Sequence, residues 1–151
     1  MKKIGVLFAA IAISAAAFPA GAAAAGTQTV LGVEGCAGKA ATIVGTSADE
    51  PIFGTAGNDV IVARGGHDTI WAGGGNDIVC GGTGNDVVNG EDGHDTIIGG
   101  AGADSLMGGS GNDRIEANDG QGIDGAHGGL GYDACLTDPG DTQTGCEPAI
   151  P

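Results

Sequence analysis

The sequence predicts an all-β fold, a solenoid of short strands, and three observations predict it. A nine-residue motif recurs seven times in a row without insertion. Thirty-three of the 151 residues are glycine, the residue that tight turns demand. Each unit carries one aliphatic residue at a fixed place, which a short strand would point inward while its two neighbours point out.

Residues 1–25, MKKIGVLFAAIAISAAAFPAGAAAA, begin with charge, continue with an apolar run from Ile4 to about Ala17, and end in small residues suited to cleavage. That is the layout of a secretory signal peptide. A membrane anchor is the alternative, but the run is short for a span of about 20 apolar residues and no basic stop-transfer flank follows. The expectation is a secreted, extracellular protein that inserts in no membrane once the signal is removed. It would then carry three basic against nineteen acidic residues, a formal charge of −16. So acidic a chain lacks the Lys/Arg clusters that nucleic acid or an anionic membrane surface would require.

Residues 26–44 read as an N-terminal cap. Residues 45–53, GTSADEPIF, open the repeats in degraded form, with Ala48 for Gly, Glu50 for Asp and Ile52 in the aliphatic slot; Ile43 fills that slot one unit earlier. From Gly54 the units are GTAGNDVIV, ARGGHDTIW, AGGGNDIVC, GGTGNDVVN, GEDGHDTII, GGAGADSLM and GGSGNDRIE, ending at Glu116. The fourth residue is Gly, the sixth Asp and the eighth aliphatic in all seven. Residues 117–127, ANDGQGIDGAH, are two too long and break the pattern. Residues 128–136, GGLGYDACL, resume it with Asp133 in the carboxylate slot and Cys135 in the aliphatic one. The repeat domain is thus 45–136, irregular at 117–127, and 137–151 form a C-terminal cap or tail.

This pattern, Gly-Gly-any-Gly-any-Asp-any-aliphatic-any, resembles the RTX or hemolysin-type calcium-binding nonapeptide repeat, over roughly 90 of the approximately 125 residues left after the signal. The resemblance implies a parallel β-roll, a right-handed β-solenoid with two repeats per coil. The first six residues of a unit would turn and the last three form a strand. Units eighteen residues apart then stack, with strands about 4.8 Å apart. The chain is most similar in layout to short exported proteins of actinobacterial type. It departs from the RTX toxins and proteases in its N-terminal signal, its cysteines and the lack of a preceding catalytic or pore-forming domain.

Stacking places Asp59, Asp77, Asp95 and Asp113 along one edge and Asp68, Asp86 and Asp104 along the other, with Glu50 below the second column. Like charges so spaced repel by about 1 to 4 kcal/mol per pair. Calcium answers this need: it takes six to eight oxygen ligands at about 2.3 to 2.6 Å in flexible geometry, which carboxylates and carbonyls of two coils can supply. The expected ligands are these seven aspartates and Asp133, with the turn glycines Gly54, Gly57, Gly66, Gly75, Gly84, Gly93, Gly102 and Gly111. Sites fall between Asp59 and Asp77, Asp77 and Asp95, Asp95 and Asp113, Asp68 and Asp86, and Asp86 and Asp104. Glu50 with Asp68 is a weaker sixth, so the cofactor is Ca2+ in about five to six copies. Asp119, Asp124 and Asp133 lie at or beyond the break with unassigned partners. The inward row Ile52, Ile61, Ile70, Val79, Val88, Ile97, Leu106 and Ile115 is too thin to order the chain alone, so calcium binding is expected to supply folding free energy.

Four cysteines, all in the exported part, favour two disulfides over zinc, because no CxxC pair or Cys/His cluster is present. Three connectivities are open. The outward residues Val60, Val62, Ile78 and Cys80 want a cover, and the segment from about Thr27 to Thr42 is available, so Cys36 is expected to join Cys80 and Cys135 to join Cys146. His67 and His94 occupy the same turn position in units an odd number of repeats apart, on opposite edges, and read as substitutes for Asn; neither they nor His127 form a catalytic arrangement. Phe53, Trp71 and Met107 project from one sheet as a patch for a protein or cell-wall partner, or for a second copy. A surface or ice-binding module is the rival function, yet Thr55, Thr69, Thr83 and Thr96 form no regular ladder. No enzymatic activity is expected.

Overall fold

In a computed structural model, residues 35–147 are described; the signal peptide, residues 26–34 of the N-terminal cap and the last four residues of the tail lie outside them. A small antiparallel hairpin, β1 (Gly35–Cys36) and β2 (Lys39–Ala40), comes first. The chain then winds into two facing six-stranded parallel sheets and forms no helix among the described residues. The first sheet contains β3 (Ile43–Val44), β5 (Val60–Val62), β7 (Ile78–Thr83), β9 (Thr96–Ala101), β11 (Arg114–Ala117) and β13 (Ala134–Thr137), in that order across it. The second contains β4 (Pro51–Thr55), β6 (Thr69–Gly73), β8 (Val87–Asp92), β10 (Ser105–Ser110), β12 (Gly125–Leu130) and β14 (Thr142–Thr144). Successive strands alternate between sheets, so two repeats make one coil. Through the regular repeats each residue pairs with the one eighteen further on, as Ile61 with Val79 and Ile70 with Val88.

The predicted aliphatic row is the core: Ile52, Ile61, Ile70, Val79, Val88, Ile97, Leu106 and Ile115 are each at most 1% exposed. The strands are longer than the three residues expected. β7 runs through the end of one unit into the first three residues of the next, and this has a packing reason. Two residues past the aliphatic one, alternation turns the chain inward again, so from Ala63 on the first residue of the units is a second buried row: Ala63, Ala72, Gly81, Gly90, Gly99, Gly108, Ala117 and Gly128. Only Gly and Ala occur there.

Two boundaries also shift. The sheets run from Ile43 to Thr144, beyond the repeat limits of 45 and 136. Residues 117–127 are regular but for two extra residues absorbed between Ala117 and Gly122, because pairing resumes twenty residues on, with Leu106 beside Ala126 and Arg114 beside Ala134. Ala126 takes the aliphatic slot and Asp124 the carboxylate slot.

Both ends are tied. β1 packs on β5 and β7, and Cys36, 1% exposed, is bonded to Cys80 on β7. Cys135, packed against the core, is bonded to Cys146. Both pairings are those expected, the first from the outward row of the first sheet and the second as a cap over the last coil. At the start of the second sheet Pro51 opens the edge strand β4, a place where a missing N–H costs no ladder bond and discourages strand addition. Phe53 and Trp71 pair across β4 and β6 and stack with ring centroids 4.9 Å apart; Asn89 separates Trp71 from Met107 on the same row.

Candidate metal centre

From β4 to β13 the chain turns between each strand and the next through Gly-x-Asp. Gly84 shows why the glycine is needed. Its φ is +119°, and a Cβ there would overlap the carbonyl oxygen of Gly66 one coil before. Gly66, Gly75, Gly93, Gly102 and Gly111 share the positive φ. Gly54 and Gly57, at the first coil, do not: an added Cβ at Gly57 would find only Thr55 Oγ1, at 3.9 Å.

The aspartates that follow are buried in two columns. Asp59, Asp68, Asp77, Asp86, Asp95, Asp104, Asp113, Asp124 and Asp133 are all 6% exposed or less. Each column is also a hydrogen-bonded ladder. The backbone N–H of one Asp donates to Oδ1 of the Asp a coil further: Asp59 to Asp77 at 2.8 Å, Asp77 to Asp95 at 2.8 Å and Asp95 to Asp113 at 2.9 Å. On the other edge Glu50 donates to Asp68 at 3.0 Å, Asp68 to Asp86 at 2.9 Å and Asp86 to Asp104 at 2.8 Å. Across the extra residues the ladders continue unbroken, Asp104 to Asp124 at 2.7 Å and Asp113 to Asp133 at 2.9 Å.

The other carboxylate oxygen is left over. In Asp68, Asp77, Asp86, Asp95, Asp104, Asp113, Asp124 and Asp133, Oδ2 is buried with no hydrogen-bond partner. Asp59, at the start, differs: its Oδ2 accepts from the N–H and hydroxyl of Thr55, and its Oδ1 from the Thr42 hydroxyl. The small first residue of each unit makes room for this oxygen. A Cβ at Gly81 would stand 2.6 Å from Oδ2 of Asp86, and one at Gly128 would stand 2.6 Å from Oδ2 of Asp133. Burial pushes seven of the aspartates up. Asp95 rises from 3.8 to about 7 and Asp104 to about 6, the loss of water outweighing the backbone N–H bonds that pull the other way, with neighbouring carboxylates adding to the rise. Burial raises Asp68, Asp77, Asp86, Asp113 and Asp124 as well.

One orphaned anionic oxygen per turn, in a cradle lined by backbone, fits a hard cation. Among the described residues no three His, Cys, Asp or Glu side chains gather as a metal cluster. An ion here would draw on one or two carboxylates and complete its shell with carbonyls, which suits calcium and disfavours zinc.

Two features escaped the sequence reading. The residue between Gly and Asp carries a ladder of its own on the outside of each turn. Asn58 Oδ1 accepts from the N–H of Asn76, Asn76 Oδ1 from His94, His94 Nδ1 from Asn112, and Asn112 Oδ1 from Tyr132, at 2.7 to 3.0 Å. On the opposite edge Asp49 Oδ1 accepts from His67, His67 Nδ1 from Asn85 and Asn85 Oδ1 from Ala103. His67 and His94 replace Asn because Nδ1 sits where an acceptor is needed. The second feature is the end of each column: Asp124 N–H donates to Asp141 Oδ1 at 3.0 Å, and Asp133 N–H to Glu147 Oε2. Neither residue keeps the eighteen-residue step, so the period could not reveal them.

The family model for the RTX calcium-binding nonapeptide repeat matches the chain in four copies, over residues 44–79, 81–115, 89–124 and 102–134. No curated protein matches it.

Proposed function

Since the chain belongs to the RTX calcium-binding nonapeptide repeat family, we propose that it is a secreted, non-enzymatic β-roll protein that holds calcium between its stacked turns and completes its fold outside the cell. The observation that carries this reading is the row of eight buried Oδ2 atoms without partners. A buried, unpaired carboxylate is costly, and eight of them in two files cannot all stay ionised in a dry interior. Bound calcium would supply the positive charge that lets them ionise. The chain's own part is to space the carboxylates by coil stacking, to fix each through its Oδ1 bond to the preceding coil, and to leave the glycine cradle open beside Oδ2. Secretion is supported by the N-terminal layout and by two disulfides.

The test is a calcium titration of the oxidised protein lacking residues 1–25, followed by far-UV circular dichroism, with magnesium as control and a chelator added last. A reversible gain of β signal specific to calcium is expected. A fold indifferent to calcium and chelator would overturn the proposal.

A further inference from the structure

We propose that the C-terminal tail, which lies outside the repeats, builds two more calcium sites, one between Asp124 and Asp141 and one between Asp133 and Glu147. The inference rests on the calcium reading above and carries it past residue 134, where the family match stops. The tail sequence TDPGDTQTGCEP keeps neither the nine-residue period nor the Gly-x-Asp order. It nevertheless sets one carboxylate over each column in the relation that links the repeats. Asp141 Oδ1 accepts the N–H of Asp124 at 3.0 Å, as Asp124 Oδ1 accepts that of Asp104 at 2.7 Å. Glu147 Oε2 accepts the N–H of Asp133, and its own N–H returns to the Asp133 carbonyl at 2.8 Å. The route back to the column of Asp113 and Asp133 is short, fourteen residues where the repeats use eighteen or twenty, and the longer reach of Glu suits it.

The second, independent observation is on the other side of each pair. Asp124 and Asp133 are each 1% exposed, and each has a buried Oδ2 without a partner, although both stand in the last repeat coil. Asp141 engages both its oxygens, Oδ1 with the N–H of Asp124 and Oδ2 with that of Asp138 at 2.6 Å, whereas Glu147 uses one oxygen for one N–H, which an amide oxygen would accept as well; each carboxylate also brings the charge that a hard dication needs. The odd-numbered pair is clamped in addition, since Cys146, bonded to Cys135, directly precedes Glu147.

The experiment counts ions by equilibrium calcium binding to the oxidised protein and to its Asp141→Asn and Glu147→Gln variants, both of which keep an oxygen for the N–H of Asp124 or Asp133, although Asp141→Asn gives up the acceptor used by the Asp138 N–H. Each variant is expected to bind one calcium fewer than the parent, and the double variant two fewer. Unchanged stoichiometry and affinity in both variants would overturn the proposal while leaving the repeat sites standing. A parent that binds no calcium would sink the calcium reading itself. Should a variant fail to fold, terbium decides on the parent protein. Tyr132 is the only tyrosine and adjoins Asp133, whereas Trp71 lies on β6, near the opposite end of the stack. A dithiol that opens Cys135–Cys146, leaving as its own disulfide, should lower the terbium emission excited through Tyr132, with the buried Cys36–Cys80 bond verified intact. Emission untouched by that reduction would count against Glu147 as a ligand.

Discussion

Removing calcium is expected to reverse the sign of the roll's pH dependence. In the metal-free fold, burial holds the Asp95 carboxyl at about 7 and that of Asp104 at about 6, against 3.8. The folded form thus binds these protons more tightly than the unfolded chain does. The stability they contribute is fully present below 3.8 and is lost as pH rises through about 6 and about 7. Each pH unit over which a proton is held only by the folded form is worth about 1.4 kcal/mol, so Asp95 accounts for roughly 4 kcal/mol and Asp104 for roughly 3. Five further aspartates move in the same direction. Such a swing rivals the whole stability of a typical domain, about 5 to 15 kcal/mol. With calcium the same groups must ionise to ligate, protons compete, and stability falls as pH falls. The assay is the urea midpoint of the oxidised protein, followed by far-UV circular dichroism from about pH 5 to about pH 8, once with excess calcium and once after exhaustive demetallation. The metal-free midpoint should rise as pH is lowered while the calcium-loaded midpoint drops. A metal-free midpoint that is flat, or that rises with pH, would refute the argument, because the buried carboxylates would then be ionised without a cation.

Other substitutions separate the remaining contributions, each read as a change in thermal or urea unfolding in saturating calcium. Gly93→Ala puts a Cβ into the Gly75 carbonyl at a φ of +143° and should cost at least about 3 kcal/mol, whereas Gly57→Ala should stay within about 0.5 kcal/mol. Ile97→Ala, at a fully buried site, should cost about 2 to 5 kcal/mol. His94→Ala strips the Asn112 N–H of its acceptor and should cost about 1 kcal/mol, while His94→Asn restores it; equal loss in both variants would remove the ladder from the account. Replacing Cys36 and Cys80 by Ser, across a separation of 44, should cost about 4 kcal/mol, against about 3 kcal/mol for Cys135 and Cys146, separated by 11.

Much of this protein could be read from residue order because a repeat makes its environment recur. Once Asp and an aliphatic residue return every nine positions, the inward row follows from strand alternation, and the two repeats per coil implied by the family resemblance add the two carboxylate columns and the eighteen-residue register. The cysteine pairs were legible for the same reason: Cys80 stood on the outward row of a sheet that wanted a cover, and Cys135 stood at the exposed end. What escaped was whatever leaves the period or depends on close packing. Asp141 and Glu147 cap the columns at steps of seventeen and fourteen, visible only once the tail is seen to add a rung. The two residues inserted before Gly122 looked like a break, yet a loop on the outside of a coil can lengthen while the rungs on either side keep their register.

The order of the amino acids by itself determined the all-β solenoid, its inward aliphatic row and the chemistry of its edges, because those depend on period and residue type. Only the tertiary structure decided how each carboxylate is used. One oxygen serves the neighbouring coil and the other is left buried, beside a glycine at Asp86, Asp95, Asp104, Asp113 and Asp133, because that division depends on coils packed too closely for a large side chain or, in most turns, a second hydrogen bond.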